Sequence, residues 1–219
     1  NVDLVAIGPG AHMQWLLGFH PHADERPCLL CVSHNRSAFL MPALNAEGTR
    51  ENTDLTFYEW DDAAGPSNAL RNLLTDLNVG GKAKLALDET MRADFAAVLQ
   101  EALPQASRQF SASTVGALRM RKDNDEYKCL KRNAKIADNV MQAAWQVLKA
   151  GMRENDIAAV IRKSFADQGA QAKFHIIGAA KNGAFPHHKT GDTILKQGDA
   201  IVMDIGGTRE GYFSDITRM

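Results

Sequence analysis

Hydrophobic and polar positions in the first half of the chain follow two patterns in turn, one typical of strands and the other typical of helices. Short apolar runs bounded by polar turns indicate buried strands, and apolar residues spaced three and four positions apart indicate helices. The predicted strands are residues 3–7, 28–32, 37–41 and 84–87. The predicted helices are residues 11–19, 66–77 and 91–103. Strands and helices that alternate in this way predict an α/β domain.

The pattern changes after residue 118. Helical spacing of apolar residues continues through residues 127–148, and a second helix is predicted around residues 157–165. A glycine follows each of them, Gly151 and Gly169, as a helix stop signal. Strand-like runs then occupy residues 174–177, 200–205 and 212–217, with a polar loop at residues 180–190. We therefore predict one domain at residues 1–118 and a second at residues 119–219.

Composition and charge argue against some classes of binding partner. The 219 residues include 25 basic and 26 acidic side chains, so the chain lacks the basic surplus that is typical of proteins that bind nucleic acid or anionic membranes. It also lacks an apolar run of about 18 residues that could span a bilayer. We therefore expect neither nucleic acid nor membrane as a partner.

The three cysteines, an odd and small number, argue against a disulfide framework and indicate a reducing cytoplasm. Cys28 and Cys31 have the spacing of half a zinc site, but a zinc ribbon needs a second pair and the chain offers only Cys129. We interpret Cys28 and Cys31 as core residues of a buried strand.

Both ends of the chain suggest a piece of a longer protein. The first residue is Asn1 rather than Met, and Met219 directly follows a strand-like run without a polar tail. We expect further sequence to belong to the same protein.

Two acidic residues near the end of the chain, Asp204 and Asp215, lie within apolar runs. An unpaired carboxylate in a buried strand costs several kcal/mol. If the two strands pair about a centre between Arg209 and Glu210, the two aspartates stand directly opposite, with Cβ atoms roughly 5 Å apart. They could then share a proton or bind a divalent cation. Alternatively, one caps a turn and the other faces solvent, and the spacing leaves all three interpretations open.

The residues around these aspartates match a known pattern. The run GDAIVMDIGGTREGYFSDITR, residues 198–218, resembles the signature of the pita-bread metallopeptidases, in the branch of Xaa-Pro dipeptidases (prolidases) and Xaa-Pro aminopeptidases. Residues 182–187, NGAFPH, resemble the loop of that family that carries a substrate-contacting histidine. The first 118 residues resemble the creatinase/prolidase N-terminal domain. The resemblance implies an α/β creatinase/prolidase-like N-terminal domain, followed by the first half of an α+β pita-bread catalytic domain.

The resemblance also implies roles for particular residues. Asp204 would bind one metal ion and Asp215 would bridge two. His187 would contact the substrate and help to stabilise the tetrahedral intermediate, and Thr217 would orient a ligand carboxylate. The complete protein would hold two divalent ions of Mn, Co, Zn or Fe. The remaining family ligands, one histidine and two glutamates, belong to a segment after residue 219, so we expect the isolated 219-residue chain to be inactive.

The function implied by the resemblance is hydrolysis of Xaa-Pro bonds in dipeptides or short peptides by a metal-activated water, in a cytoplasmic homodimer. Dipeptidase and aminopeptidase remain alternatives. A metal-free creatinase-like hydrolase and a non-catalytic binding protein of the same fold are rival interpretations. Retention of Asp204 and Asp215 argues against the first rival, and retention of both with His187 argues against the second.

Overall fold

The computed structural model describes residues 2–219, which fall into two units, one ending at Arg121 and the other beginning at Lys122. The described strands of the N-terminal unit are β1 Leu4–Ile7, β2 Leu29–Ser33, β3 Ser37–Pro42, β4 Thr56–Trp60, β5 Lys84–Leu87 and β6 Ser107–Phe110. Its helices are α1 Ala11–Leu17, α2 Ala43–Arg50, α3 Ser67–Asp76, α4 Ala93–Ala102 and α5 Val115–Met120. The strands form one mixed sheet in the order β4-β3-β2-β1-β5-β6.

The central strands of this sheet are buried on both faces. Successive side chains of a strand point to opposite faces, so Leu29 and Leu30 enter different hydrophobic clusters. Leu29 packs with Leu70 of α3 and Phe95 of α4, whereas Leu30 packs with Met13 of α1. Burial on both faces explains why the strands read as continuous apolar runs rather than as alternating ones.

The cysteines of β2 and its approach are core residues, as predicted. Cys28 and Cys31 are buried, carry free thiols and belong to clusters on opposite faces of the sheet. Burial raises the pKa of both thiols to about 12, so both carry their proton at neutral pH.

The sequence pattern missed α2, β4, β6 and α5. The strand β6 has the residues SRQF, and all four are exposed at the edge of the sheet beside β5. A strand of this kind carries no apolar alternation, because none of its side chains enters the core. Its pairing with β5 defines it as a strand.

The C-terminal unit begins with two helices, α6 Asn124–Val147 and α7 Glu154–Asp167. Asp123 caps α6: its carboxylate accepts hydrogen bonds from two backbone N–H groups of the first turn, and Glu126 bonds back to the N–H of Asp123. The strands β7 Gln171–Ala179, β8 Ile201–Arg209 and β9 Tyr212–Arg218 follow and form an antiparallel sheet in sequence order. The predicted elements of this unit are confirmed, with strands longer than expected.

Both helices pack on one face of this sheet. Met203 and Ile205 of β8 are fully buried against Val140 of α6 and Ile157 of α7. The side chain of Asp204, which lies between them along β8, points to the opposite face. We call this opposite face, which presents Asp204, Asp215, Thr217 and Ile176, the carboxylate face.

None of the helices formed by residues 2–219 is both long enough and apolar enough to cross a membrane.

Candidate metal and substrate site

The hairpin that carries the two aspartates turns at Glu210 and Gly211. Arg209 stands opposite Tyr212, and the two turn residues have φ values of 54° and 79°. Positive φ at both central positions is typical of a type I′ turn, which suits the twist of the flanking strands. The hairpin centre therefore lies one residue later than predicted, because Gly211 occupies the second left-handed position of the turn.

This register corrects the predicted pairing. Asp204 stands opposite Thr217, and Asp215 stands opposite Gly206, so the two aspartates are not directly opposed. Each pairing differs from the prediction by two positions, and side-chain direction repeats every two positions, so both carboxylates still belong to one face. They are diagonal neighbours, a relationship with Cα atoms about 7–8 Å apart.

The two carboxylates differ in environment. Asp204 is half-buried, and its Oδ1 accepts a hydrogen bond of 2.7 Å from the Thr217 hydroxyl. Asp215 is exposed on the edge strand β9, and within residues 2–219 its carboxylate forms no hydrogen bond or ion pair. Of the interpretations that the spacing left open, exposure of one aspartate to solvent therefore holds for Asp215, because its strand alternates between exposed and half-buried positions.

A cavity of about 190 Å³ adjoins Asp204 on the carboxylate face. Its lining includes Thr217, the half-buried Ile176 of β7, and Phe185 and Pro186 of the loop after β7. The lining thus combines the carboxylate of Asp204, the hydroxyl of Thr217 and the amide of Asn182 with apolar groups.

Two glycines allow that loop to lie close against the sheet. A Cβ added to Gly178 would lie 2.9 Å from the backbone nitrogen of Gly183, and one added to Gly183 would lie 3.1 Å from Cγ2 of Val202. Both distances are too short for ordinary packing, so side chains at these positions would lift the loop away from the cavity.

His187 follows Pro186 in this loop, and its side chain is exposed. Pro186 and His187 are the central residues of a turn closed by a hydrogen bond of 3.0 Å from the His188 N–H to the Phe185 carbonyl. Proline at the first central position suits such a turn because its φ is already fixed. The structure therefore places His187 at the tip of a turn whose first two residues line the cavity beside Asp204.

A hydrogen bond joins His188 of this loop to Glu154, and neither residue was predicted to have a role. Glu154 is fully buried, and its Oε2 accepts a hydrogen bond of 2.9 Å from Nε2 of His188. Burial by itself raises the pKa of Glu154, but the hydrogen bonds that its carboxylate accepts outweigh this and hold the pKa below its usual range. No local sequence signal links the two residues, since they are 34 positions apart.

The donor set at Asp204 and Asp215 fits a divalent cation in part. Two carboxylates of one sheet face present hard oxygen atoms, the ligands that such ions prefer. The ordering of Asp204 by Thr217 is the kind of outer hydrogen bond that ligand carboxylates need. Such sites usually take four to six ligands, so these two residues form part of a site.

Another group of ligand-type side chains lies in the N-terminal unit. Among residues 2–219, His12, Asp88 and Glu89 are the three whose ligand atoms all lie within 4.8 Å of one another. Arg119, however, lies 3.0 Å from Nδ1 of His12 and can only donate to it. Nε2 of the neutral imidazole then carries the proton and bonds to Glu89 and Ser111, so His12 has no free lone pair for a metal ion. His12, Ser111 and Glu89 thus form a hydrogen-bond network in which His12 and Ser111 are buried and Glu89 is exposed.

Known protein families and individual proteins match both units of the chain. Residues 1–121 match the Creatinase/Prolidase N-terminal domain, and residues 128–219 match Metallopeptidase family M24. A probable dipeptidase PepE of Mycobacterium tuberculosis is 28% identical over 98% of this chain and 58% of its own length. A Xaa-Pro dipeptidase of Pyrococcus horikoshii is 22% identical over the whole chain and 59% of its own length. The chain thus spans less than two thirds of the length of these relatives.

Solved structures share the fold. The crystal structure of dipeptidase PepE from Mycobacterium ulcerans has a TM-score of 0.90 and 28% identity, over 99% of this chain and 59% of that one. Recombinant prolidase from Thermococcus sibiricus has a TM-score of 0.88 and 26% identity, over 99% and 60%. These similarities confirm the predicted fold class in both units.

Proposed function

We infer the function of this chain from the family to which it belongs, that of the creatinase/prolidase N-terminal domain, which covers its residues 1–121. We propose that the complete protein is a metal-dependent peptidase that hydrolyses Xaa-Pro bonds in dipeptides or short peptides. The observation that carries this proposal is the placing of Asp204 and Asp215 on one face of the β8–β9 hairpin. The names of similar proteins, which include dipeptidase, prolidase and Xaa-Pro dipeptidase, support the substrate class.

Asp204 and Asp215 are the residues of this chain that would hold the metal. We propose two divalent ions of Mn, Co, Zn or Fe, with Asp204 bound to one and Asp215 bridging both. Bound ions of this kind polarise a scissile carbonyl and lower the pKa of a bound water. Thr217 keeps Oδ1 of Asp204 engaged, and therefore fixes the direction in which the carboxylate presents its other oxygen.

The loop beside this pair would bind the peptide substrate. The cavity lined by Ile176, Phe185 and Pro186 offers an apolar surface of small volume for one substrate residue. His187, exposed at the tip of its turn, is free to donate a hydrogen bond to the carbonyl oxygen as negative charge develops on it. The reaction class that these groups support is hydrolysis of a peptide bond.

We also propose a homodimer in the cytoplasm for the complete protein. The free thiols of Cys28, Cys31 and Cys129 suit a reducing compartment. The dimer rests on the family resemblance, and sedimentation of the complete protein that shows only monomer at micromolar concentration would contradict it.

The test uses the complete protein, stripped with a chelator and then reloaded with one divalent metal at a time. A Xaa-Pro dipeptide and the matched Xaa-Ala dipeptide are the substrates. We expect hydrolysis of the Xaa-Pro peptide that vanishes on chelation and returns with metal. Turnover that persists without metal would support the metal-free hydrolase instead. A folded, metal-loaded protein without turnover would support the binding protein, and the 219-residue chain alone should be inactive.

A further inference from the structure

A buried carboxylate organises the loop that carries His187. Oε1 of Glu154 accepts hydrogen bonds from the Ala179 N–H at 3.0 Å and from the Asn182 amide at 2.9 Å. Oε2 accepts from Nε2 of His188 at 2.9 Å and from the Gly191 N–H at 3.0 Å. Within residues 2–219 these are the donors to Glu154, and together they fill the acceptor sites of one carboxylate.

The donors lie on both sides of His187 in the chain. Ala179 and Asn182 precede the turn at Pro186 and His187, and His188 and Gly191 follow it. The backbone around Glu154 adds to this, because its own N–H donates to the Thr193 carbonyl at 3.1 Å. Glu154 therefore holds the outgoing and returning arms of one loop at a single buried point.

Because Glu154 is fully buried, its carboxylate depends on all four of these hydrogen bonds. A buried carboxylate that loses one of its donors retains its desolvation cost, so removal of a donor disturbs the whole arrangement. Glu154 is also the first residue of α7, where the helix dipole favours a negative charge. The anchor point is thus built into the start of a packed helix.

His188 is the link between this anchor and the turn. It closes the turn with its backbone N–H, and its ring is tied to Glu154 at the same time. Pro186 restricts the backbone on the other side of His187. The direction in which His187 projects is therefore set by its two chain neighbours, of which His188 is held by a hydrogen bond of its side chain.

We propose that Glu154 and His188 form a positioning pair that fixes His187 toward the substrate. The inference rests on the proposed function, since it gives His187 a substrate to meet. Glu154 and His188 themselves touch neither substrate nor metal: they act on the reaction only through the turn. Loss of the His188 ring should therefore lower turnover and leave the binding of metal unchanged.

The experiment compares His188→Ala and His188→Gln in the complete, metal-loaded protein. The side-chain amide of Gln extends about as far as Nε2 of His and supplies an N–H donor, so it can still reach Glu154. We expect kcat to fall tenfold or more in H188A and to recover most of that loss in H188Q, with metal content unchanged in both. Lys189→Ala, at the exposed next residue, serves as the matched control and should retain wild-type kcat.

A double variant separates positioning from general stabilisation. If His188 acts through His187, then H187A/H188A should be no slower than H187A, because the second substitution has nothing left to position. Independent, multiplicative losses in the double variant would overturn the inference. So would wild-type kcat in H188A, or a loss of metal and folded structure shared by H188A and H188Q. An inactive but folded wild-type protein would overturn the proposed function, and the role of the pair with it.

Discussion

Thr217 donates a hydrogen bond of 2.7 Å to Oδ1 of Asp204, its directly opposite partner in the β8–β9 hairpin. This bond orients one candidate metal ligand before any ion binds. Thr217→Val keeps the shape of the side chain and removes the hydroxyl. We expect a 10- to 100-fold loss of metal affinity in the complete protein, the usual cost of losing a partner of a ligand.

Titration of the chelator-stripped complete protein with Mn²⁺ measures that affinity. Thr56→Val, at an exposed position of β4, is the matched control and should bind metal as the wild type does. Equal affinities for T217V and the wild type would mean that the hydroxyl does not support a ligand.

Asp215 should be needed for both metal and activity. Its carboxylate has no protein partner among residues 2–219, and it shares a face with Asp204. Asp215→Ala should abolish turnover of a Xaa-Pro dipeptide, because in the proposed site this carboxylate would hold both ions. Metal analysis should show loss of bound ion with the fold intact. Asp167→Ala, also at an exposed position of the same unit, should leave both quantities unchanged.

His187 should affect turnover and leave metal binding intact. The residue lies at the tip of a turn and outside the aspartate pair, so His187→Ala should lower kcat by roughly 100-fold, within the range seen when a stabilising donor is lost. Steady-state kinetics and metal analysis on the same preparation separate the two effects. Loss of metal together with unfolding of H187A would show that the residue is structural instead.

Gly206 should tolerate no side chain. A Cβ at this position would lie 2.7 Å from the Ser214 carbonyl oxygen and would also overlap the Phe174 ring. Since the carbonyl belongs to the paired strand β9, Gly206→Ala should lower the free energy of unfolding by about 1–3 kcal/mol. Denaturant unfolding of the complete protein measures this change. Gly80→Ala, where nothing lies within 4 Å, should alter it by less than about 1 kcal/mol.

The loop around His187 should lose stability only below a pH of about 4.3. Hydrogen bonds to the Glu154 carboxylate hold its folded-state pKa below its usual range despite burial, so its contribution to stability is present above the unfolded-state pKa of about 4.3. That contribution is lost as the pH falls through the lower folded-state pKa, when the carboxylate takes up a proton.

Amide exchange reports this loss locally, because the Ala179 and Gly191 N–H groups donate to Glu154. Their protection factors should hold from neutral pH down to about 4.3 and fall below it. In Glu154→Gln the protection should be weaker throughout and nearly independent of pH. A wild-type loss of protection that begins well above pH 4.3 would contradict the lowered pKa.

The sequence pattern was most informative where burial repeats regularly. The helices α6 and α7 place an apolar residue at every third or fourth position, because one side of each packs on the sheet. Their predicted extents agree with the structure to within a few residues. The strand β6 was missed for the opposite reason, since its exposed side chains leave no trace of pairing in the sequence.

The aspartate pair shows that spacing in the sequence does not determine which residues pair across a hairpin. An odd separation of eleven residues across a two-residue turn already places Asp204 and Asp215 on one face. Their cross-strand partners depend on which two residues form the turn. Glu210 and Gly211 adopt the positive φ values that this turn requires. The residue types alone did not determine it, because Gly206 and Gly207 offered other turn positions.

The sequence by itself determined the α/β class of the first unit and the apolar faces, because these follow from short-range periodicity. Its resemblance to family motifs indicated the class of the second unit and the candidate residues Asp204, Asp215, Thr217 and His187. Only the tertiary structure decided that Glu154 anchors the loop of His187. As the first residue of a helix, Glu154 resembles any acidic residue near a helix start. Its donors are 25 to 37 positions away in the chain, and hydrogen bonds over that distance form only when packing brings the helix and the loop together.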